Sequence, residues 1–171
     1  MSSILKVDQI QLSNGNTPTA GDLGLNDTGT VIQTVSYTTG EGSPPFTNST
    51  TVNVTSGQNV IIGSGTITPK YATSKILVTG FNMCHNSNTG YTYMRVIRTL
   101  GGTSTIIQTP GNAVGFQINS GVRIPIPVYI LDSPSTTSQV TYSHRVDYHG
   151  GTVNQDYNYG AVNLTLMEIA G

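Results

Sequence analysis

Three histidines and a tyrosine-rich stretch near the carboxy terminus are the residues of this chain best equipped for chemistry. Asp147 and His149 stand two apart in an alternating segment, so both fall on one face and could reach one metal ion. Two ligands from one strand do not make a site. One such residue from each of three copies about a three-fold axis would supply three ligands, but within a single chain no metal set is read. His144 falls on the opposite face with Val140, Tyr142, Val146 and Tyr148, which marks it as a core histidine in need of a hydrogen-bond partner. His85 closes another alternating segment beside a loop, as a surface residue or part of a binding rim. The stretch from Gly150 to Gly160 offers different chemistry, because Tyr157 and Tyr159 bring flat apolar rings together with the amide of Asn154 and the carboxylate of Asp156. That mixture suits a sugar, whose C–H face stacks on a ring while its hydroxyls bond to amides and acids. These four residues are the candidate glycan contacts; a polar surface loop held by tyrosine packing is the competing reading.

Catalytic constellations are not read from the sequence. It has no Gly-x-x-x-x-Gly-Lys loop, no Gly-x-Ser-x-Gly elbow, no His-Glu-x-x-His and no Cys-x-x-Cys. Gly63-Ser64-Gly65 lies in a strand context with no helix to present a nucleophile, so it reads as a bulge or tight turn. Glycoside hydrolysis needs two carboxyl groups across one cleft, and Asp132, Asp147, Asp156 and Glu168 show no such pairing in sequence. The expectation is a binding or structural protein, not an enzyme, with no catalytic residue and no cofactor.

The elements that would position these residues are strands. Apolar residues recur with period two nearly everywhere, and no long segment has the spacing of an amphipathic helix. The alternation predicts strands over Thr30–Tyr37, Thr51–Thr55, Asn59–Ile67, Lys75–His85, Tyr91–Arg98, Thr103–Gln108, Val128–Asp132, Thr137–His149 and Gly160–Ile169. In Lys75–His85 apolar residues stand on both faces (Ile76, Val78 and Cys84 against Leu77, Phe81 and Met83), which predicts a central strand buried on both sides. Asn86-Ser87-Asn88-Thr89-Gly90 supplies the turn chemistry of a hairpin. The fold class is all-β, an antiparallel β-sandwich, and long connections such as Pro110 to Arg123 favour a jelly roll over a meander.

Composition bounds the partners. At 171 residues and 18.0 kDa the chain can bury one core, yet only 9% of its residues are charged, so hydroxyls and amides must carry its solubility. A net charge of −1 gives no electrostatic footprint for nucleic acid or an anionic membrane. The single Cys84 forms no intrachain disulfide, which fits synthesis in a cytosol. The amino terminus lacks the basic start and apolar run of a signal peptide, and no segment has the apolar length for membrane insertion. The Asn-X-Ser/Thr sequons at Asn26, Asn48, Asn53 and Asn163 are expected by chance in so Asn-, Ser- and Thr-rich a chain.

Residues 1–28 differ from the rest. One short apolar cluster, Ile4, Leu5, Val7, Ile10 and Leu12, precedes a run of Ser, Asn, Gly, Thr and Pro that cannot make its own core. This segment reads as an attachment arm that adds a strand to a neighbour, with residues 30–171 as the displayed sandwich.

Three stretches of that domain, ITPKYATSKILVTG (Ile67 to Gly80), LDSPSTTSQVTYSHRV (Leu131 to Val146) and NLTLMEIAG (Asn163 to Gly171), resemble a carboxy-terminal module of tailed-phage fibre proteins. The start ILKVDQIQ (Ile4 to Gln11) is similar to that of virion structural proteins of phages that infect cyanobacteria. The resemblance implies a homotrimeric β-sandwich on a phage virion and brings no catalytic residues. No coiled-coil or repetitive shaft separates arm from domain, which favours a short fibre or spike. The resulting expectation is a trimeric module joined through residues 1–28 to tail, baseplate or capsid proteins and meeting a host surface glycan. A capsid decoration protein, cement or head fibre, is the alternative.

Overall fold

The computed structural model describes residues 11–19, 22–23, 27–38, 59–85, 90–107, 114–118, 123–149 and 162–171. Among them there is no helix, and nine strands follow in order: β1 Val31–Thr38, β2 Asn59–Ile67, β3 Lys75–His85, β4 Gly90–Leu100, β5 Thr103–Ile106, β6 Val114–Ile118, β7 Arg123–Asp132, β8 Val140–His149 and β9 Val162–Ile169. The first sheet runs β1-β9-β3-β7 and the second β2-β8-β4-β5, with β6 also on β4. Every pairing is antiparallel.

The order of pairing explains the architecture. β4 turns back on itself through Gly101 and Gly102, whose φ angles of 55° and 80° meet the demand of a two-residue hairpin turn for two left-handed residues. From that turn outward the chain pairs inner strand with inner strand: β4 with β5 and β6, β3 with β7, β2 with β8 and β1 with β9. It is one long hairpin rolled into two packed sheets, the jelly-roll connectivity expected from the sequence. β5 and β6 lie end to end along the edge of β4 that β8 leaves open.

The inward residues make the core. Ile67, Ile76, Val78, Val96, Val128, Val140, Tyr142, Leu164 and Leu166 are buried together, with Val35, Tyr37, Leu100, Ile107 and Ile130 packed against them. The alternation read for β8 and β9 is therefore the real one: Val140, Tyr142 and His144 are fully buried, as are Leu164 and Leu166.

Five local expectations are corrected. The hairpin expected of Lys75–His85 and Tyr91–Arg98 does not form, because β3 pairs with β7 and β9 in the first sheet and β4 with β5, β6 and β8 in the second. The span from Pro110 to Arg123 is not all connection, because Val114–Ile118 pairs with Gly90 to Met94; five residues set among turn formers signal weakly until a neighbouring edge recruits them. β7 begins at Arg123 instead of Val128. β7 is an edge, so Pro125 and Pro127, two apart, can both turn their nitrogens away from β3, their one partner. β8 begins at Val140 and not Thr137, the preceding residues being drawn into a turn in which Ser138 N–H donates to Thr136 Oγ1 at 3.0 Å. β3 is central, paired with both β7 and β9, but Leu77 and Phe81 on its outer face are only half-buried, because among the described residues nothing packs over that face. The strand expected at Thr51–Thr55 lies outside the described residues.

Candidate functional site

The two ends of the sandwich differ. At one end lie the turn 68–74, the hairpin turn at Gly101 and Gly102, the loop 133–139 and the end of β9, and two carboxylates organise it. Glu168 follows Leu164 and Leu166 on the inward face of β9 and is fully buried. Its Oε1 accepts the backbone N–H of Lys70 at 2.6 Å and of Tyr71 at 3.3 Å, and its Oε2 accepts Gln33 Nε2 at 2.5 Å. Gln33 Nε2 also donates to Thr68 O at 2.7 Å, so β1, β9 and the turn between β2 and β3 are tied at one point. Asp132, at the end of β7, accepts two bonds from Arg98 Nη1, at 2.9 and 3.1 Å, and one from Tyr142 Oη at 2.7 Å. Burial first, and then the bond to Asp132, push the Tyr142 phenol far above its ordinary range, so it remains a donor. Both carboxylates thus act as structural acceptors. Glu168 had a legible signal, since the parity of Leu164 and Leu166 places it inside; its partners are backbone groups of a distant turn and had none.

A second tie spans the open side between the sheets. Tyr37 reaches from β1 to the edge strand β2, where its hydroxyl donates to Thr66 O at 2.7 Å and accepts Thr66 N–H at 3.0 Å. An edge strand presents unpaired backbone groups, and this phenol satisfies two of them. The ring lies against Gly65, where any Cβ would collide with it. Gly65 is therefore small to admit Tyr37. A register shift between Ile61 and Gly63 supplies the bulge expected here, and Ser64 Oγ pairs with Ser143 Oγ at 2.8 Å on the outer face. Tyr37→Phe is expected to cost about 1–2 kcal/mol in urea denaturation and to speed hydrogen exchange at the Thr66 amide. An unchanged midpoint and exchange rate would show the tie to be idle.

At the opposite end β1, β3, β6 and β8 finish and β2, β4, β7 and β9 begin. His85 is opposite Arg123, His149 opposite Tyr91, and Asp147 opposite both Asn59 and Tyr93, which puts His85, Asp147 and His149 on this rim by register. The candidate glycan contacts Asn154, Asp156, Tyr157 and Tyr159 belong to the connection from β8 to β9 and lie outside the described residues. Among the described residues no three His, Cys, Asp or Glu side chains gather as a metal site.

Below that rim sits a buried polar pair. Asn82 of β3 and His144 of β8 face each other across the sandwich, both fully buried. Asn82 Nδ2 is 2.9 Å from His144 Nδ1, with Oδ1 at 3.2 Å, and Nδ2 also approaches Met94 Sδ at 3.9 Å. Taking the shorter contact as the bond, Asn82 donates to Nδ1 and the ring proton sits on Nε2. His144 Nε2 is buried without a hydrogen-bond partner, and burial lowers the imidazole pKa to about 4. His144 is a core residue as read, satisfied at one nitrogen only.

Of the arm residues, Ile4, Leu5, Val7 and Ile10 lie outside the described residues, and Leu12 is half-buried. Leu12 opens a turn in which its N–H donates to Asn16 O and its carbonyl accepts Gly15 N–H, both at 2.8 Å. Thr19 N–H and Oγ1 donate to Asp22 Oδ2 at 2.8 and 2.7 Å, and these bonds lower the Asp22 pKa. The backbone bonds described for residues 12–23 are all local; the first to reach the sandwich run from Gly29 N–H to Ala170 O and from Ala170 N–H to Thr30 O.

Connectivity and core together define an antiparallel β-sandwich of the jelly-roll class. No protein-family model matches the chain, and no curated protein matches it. Among solved structures it is similar to a chain of the infectious bursal disease virus VP2 subviral particle, at 14% identity and a TM-score of 0.51, over 83% of this chain and 34% of that one. A chain of the T=1 particles derived from infectious bursal virus gives 15% identity and a TM-score of 0.51, over 83% and 33%. One from the T13 particle of the same virus gives 14% and 0.50, over 100% and 36%. At these identities the likeness is one of fold, and the chain spans about a third of the length of the solved chains it matches.

Proposed function

We propose that this protein is a structural component displayed on a phage virion, with residues 30–171 as a homotrimeric sandwich mounted through residues 1–28. The observation that carries the reading is the jelly-roll connectivity, which is similar in fold to chains of viral particles at TM-scores of 0.50 to 0.51. Two carboxylate-centred ties brace one end, while the strand ends at the other converge on the connections that hold the candidate glycan contacts. That division suits a module held at one end and presenting the other to a host surface glycan through Asn154, Asp156, Tyr157 and Tyr159. The arm enters β1 at the braced end, which agrees with attachment there. Particle chains as fold neighbours also favour the second reading, a decoration protein on the capsid.

Quantifying the protein in purified virions separates the two. Copies on the scale of the shell's own subunits favour decoration, a small fixed number favours a fibre or spike, and absence from virions overturns both. For adhesion, the isolated protein is expected to block host adsorption and Tyr157→Ala/Tyr159→Ala to abolish the block. No binding to host cells or their glycans at high concentration would remove the adhesive role. Deletion of residues 1–26 is expected to leave a folded oligomer that no longer joins the particle; an unfolded product would show that the arm belongs to the core.

A further inference from the structure

The outer faces of the two sheets are unlike. The outer face of the second sheet carries hydroxyls, the exposed Thr99–Ser104 pair and the part-buried Ser64–Ser143 pair, beside Arg95 and Arg145. The first sheet is built in rows that its register defines. One row crosses the strands as Leu131, Leu77 and Met167, and another places Pro127 beside Phe81. Between them runs Tyr129 with hydroxyl neighbours, of which Thr165 bonds Ser36 at 3.1 Å. Tyr129 is 76% exposed and Leu131 52%, large values for apolar side chains side by side on one strand. Lys75, at the margin, is the only charged residue of this face among the described side chains.

We propose that the outer face of the first sheet, centred on Leu77, Phe81, Tyr129 and Leu131, is the surface through which copies of this chain pack on one another. Three observations point to a second copy. Depletion of charge with aromatic and aliphatic enrichment is the composition of an interface core, and a face whose one charge among the described side chains is the marginal Lys75 has little to select an oppositely charged partner. The face is a regular twisted sheet, and such sheets pack against their like at ~10 Å with side chains interdigitating, here apolar row against apolar row. Four strands make it ~19 Å wide and roughly 30 Å long, a footprint that side-chain relief brings near the ~800 Å² per partner of a standard stable interface. The inference deepens the oligomeric part of the proposed function and rests on it only for the number of copies.

The test is the mass of the purified full chain in solution, by light scattering and sedimentation. The wild type is expected to be an oligomer, and Tyr129→Glu/Leu131→Glu to dissociate at least about a hundredfold more readily with its β-sheet circular dichroism retained. Ile106→Glu, on the second sheet, is expected to leave the mass unchanged. A monomeric wild type, or a double variant of wild-type mass, overturns the proposal. Nitration of the wild type needs no variant to fold. Within one chain Tyr129 is more exposed than Tyr71, at 76% against 46%, so slower nitration of Tyr129 than of Tyr71 supports a covered face and faster nitration overturns it. Loss of this interface with the protein still on virions leaves display standing; intact self-association of a protein absent from virions does the reverse.

Discussion

Glu168→Ala is expected to lower the stability of the sandwich by about 3–5 kcal/mol, a large share of the ~5–15 kcal/mol that holds a domain of this size. The carboxylate accepts two backbone N–H groups of the turn 68–74 and the amide of Gln33, all around a fully buried site. Alanine leaves the two backbone donors with nothing in place of the carboxylate, while Gln33 Nε2 keeps only Thr68 O, and each buried unmet group costs ~1–3 kcal/mol. It also opens a cavity between β1, β3 and β9, which meet at this position in the register. Glu168→Gln separates these contributions. A glutamine keeps one oxygen for Lys70 and Tyr71 and turns an –NH₂ toward Gln33, so the loss should be roughly a third to half as large. Thermal and urea unfolding of the three proteins at one protein concentration measure the series. A cost below ~1 kcal/mol for alanine would show that the turn is held by its own bonds, such as Ser74 N–H to Tyr71 O at 3.1 Å.

The same residue shows what can be read from a chain before it folds. Alternation along β9 and β8 places Leu166, Glu168, Tyr142 and His144 inward, because side-chain direction in a strand depends only on parity. What those inward polar groups meet depends on strands far away in sequence: Asn82 is 62 positions from His144, and Lys70 is 98 from Glu168. Local pattern carries no record of such a partner. The pairing of first strand with last is equally non-local, so two sheets and long connections were legible while the register was not. The start of β7 is non-local in the same way, since whether a strand tolerates Pro125 and Pro127 turns on whether that strand is an edge. The three carboxy-terminal stretches that resemble fibre modules converge on the Glu168 and Asp132 ties, which gives them a structural cause. The arm and glycan candidates drew on chemistry alone, and all but Leu12 lie outside the described residues.

Stability is expected to fall by about 2–3 kcal/mol between pH 7 and pH 4.5 through His144 alone. The folded pKa is about 4 against 6.5 for an exposed imidazole, because burial penalises the cation. A depressed histidine pKa means that the unfolded chain binds the proton first. Stability is therefore full above the unfolded value, declines as pH falls through 6.5, and reaches its limiting loss of about 3 kcal/mol below the folded value. His144→Gln keeps a side chain able to bond the Asn82 amide and does not titrate. Whatever fixed cost it carries, the difference between its pH profile and that of the wild type isolates the imidazole, since other titrating groups contribute to both. Urea midpoints at fixed protein concentration across this range give the two curves. Parallel curves would mean that the ring finds water or an acceptor on protonation, and that the Asn82–His144 pair is less sealed than its burial indicates. Converging curves would identify this pair as the acid-sensitive point of a core in which the buried Glu168 and Ser143 are tied by hydrogen bonds.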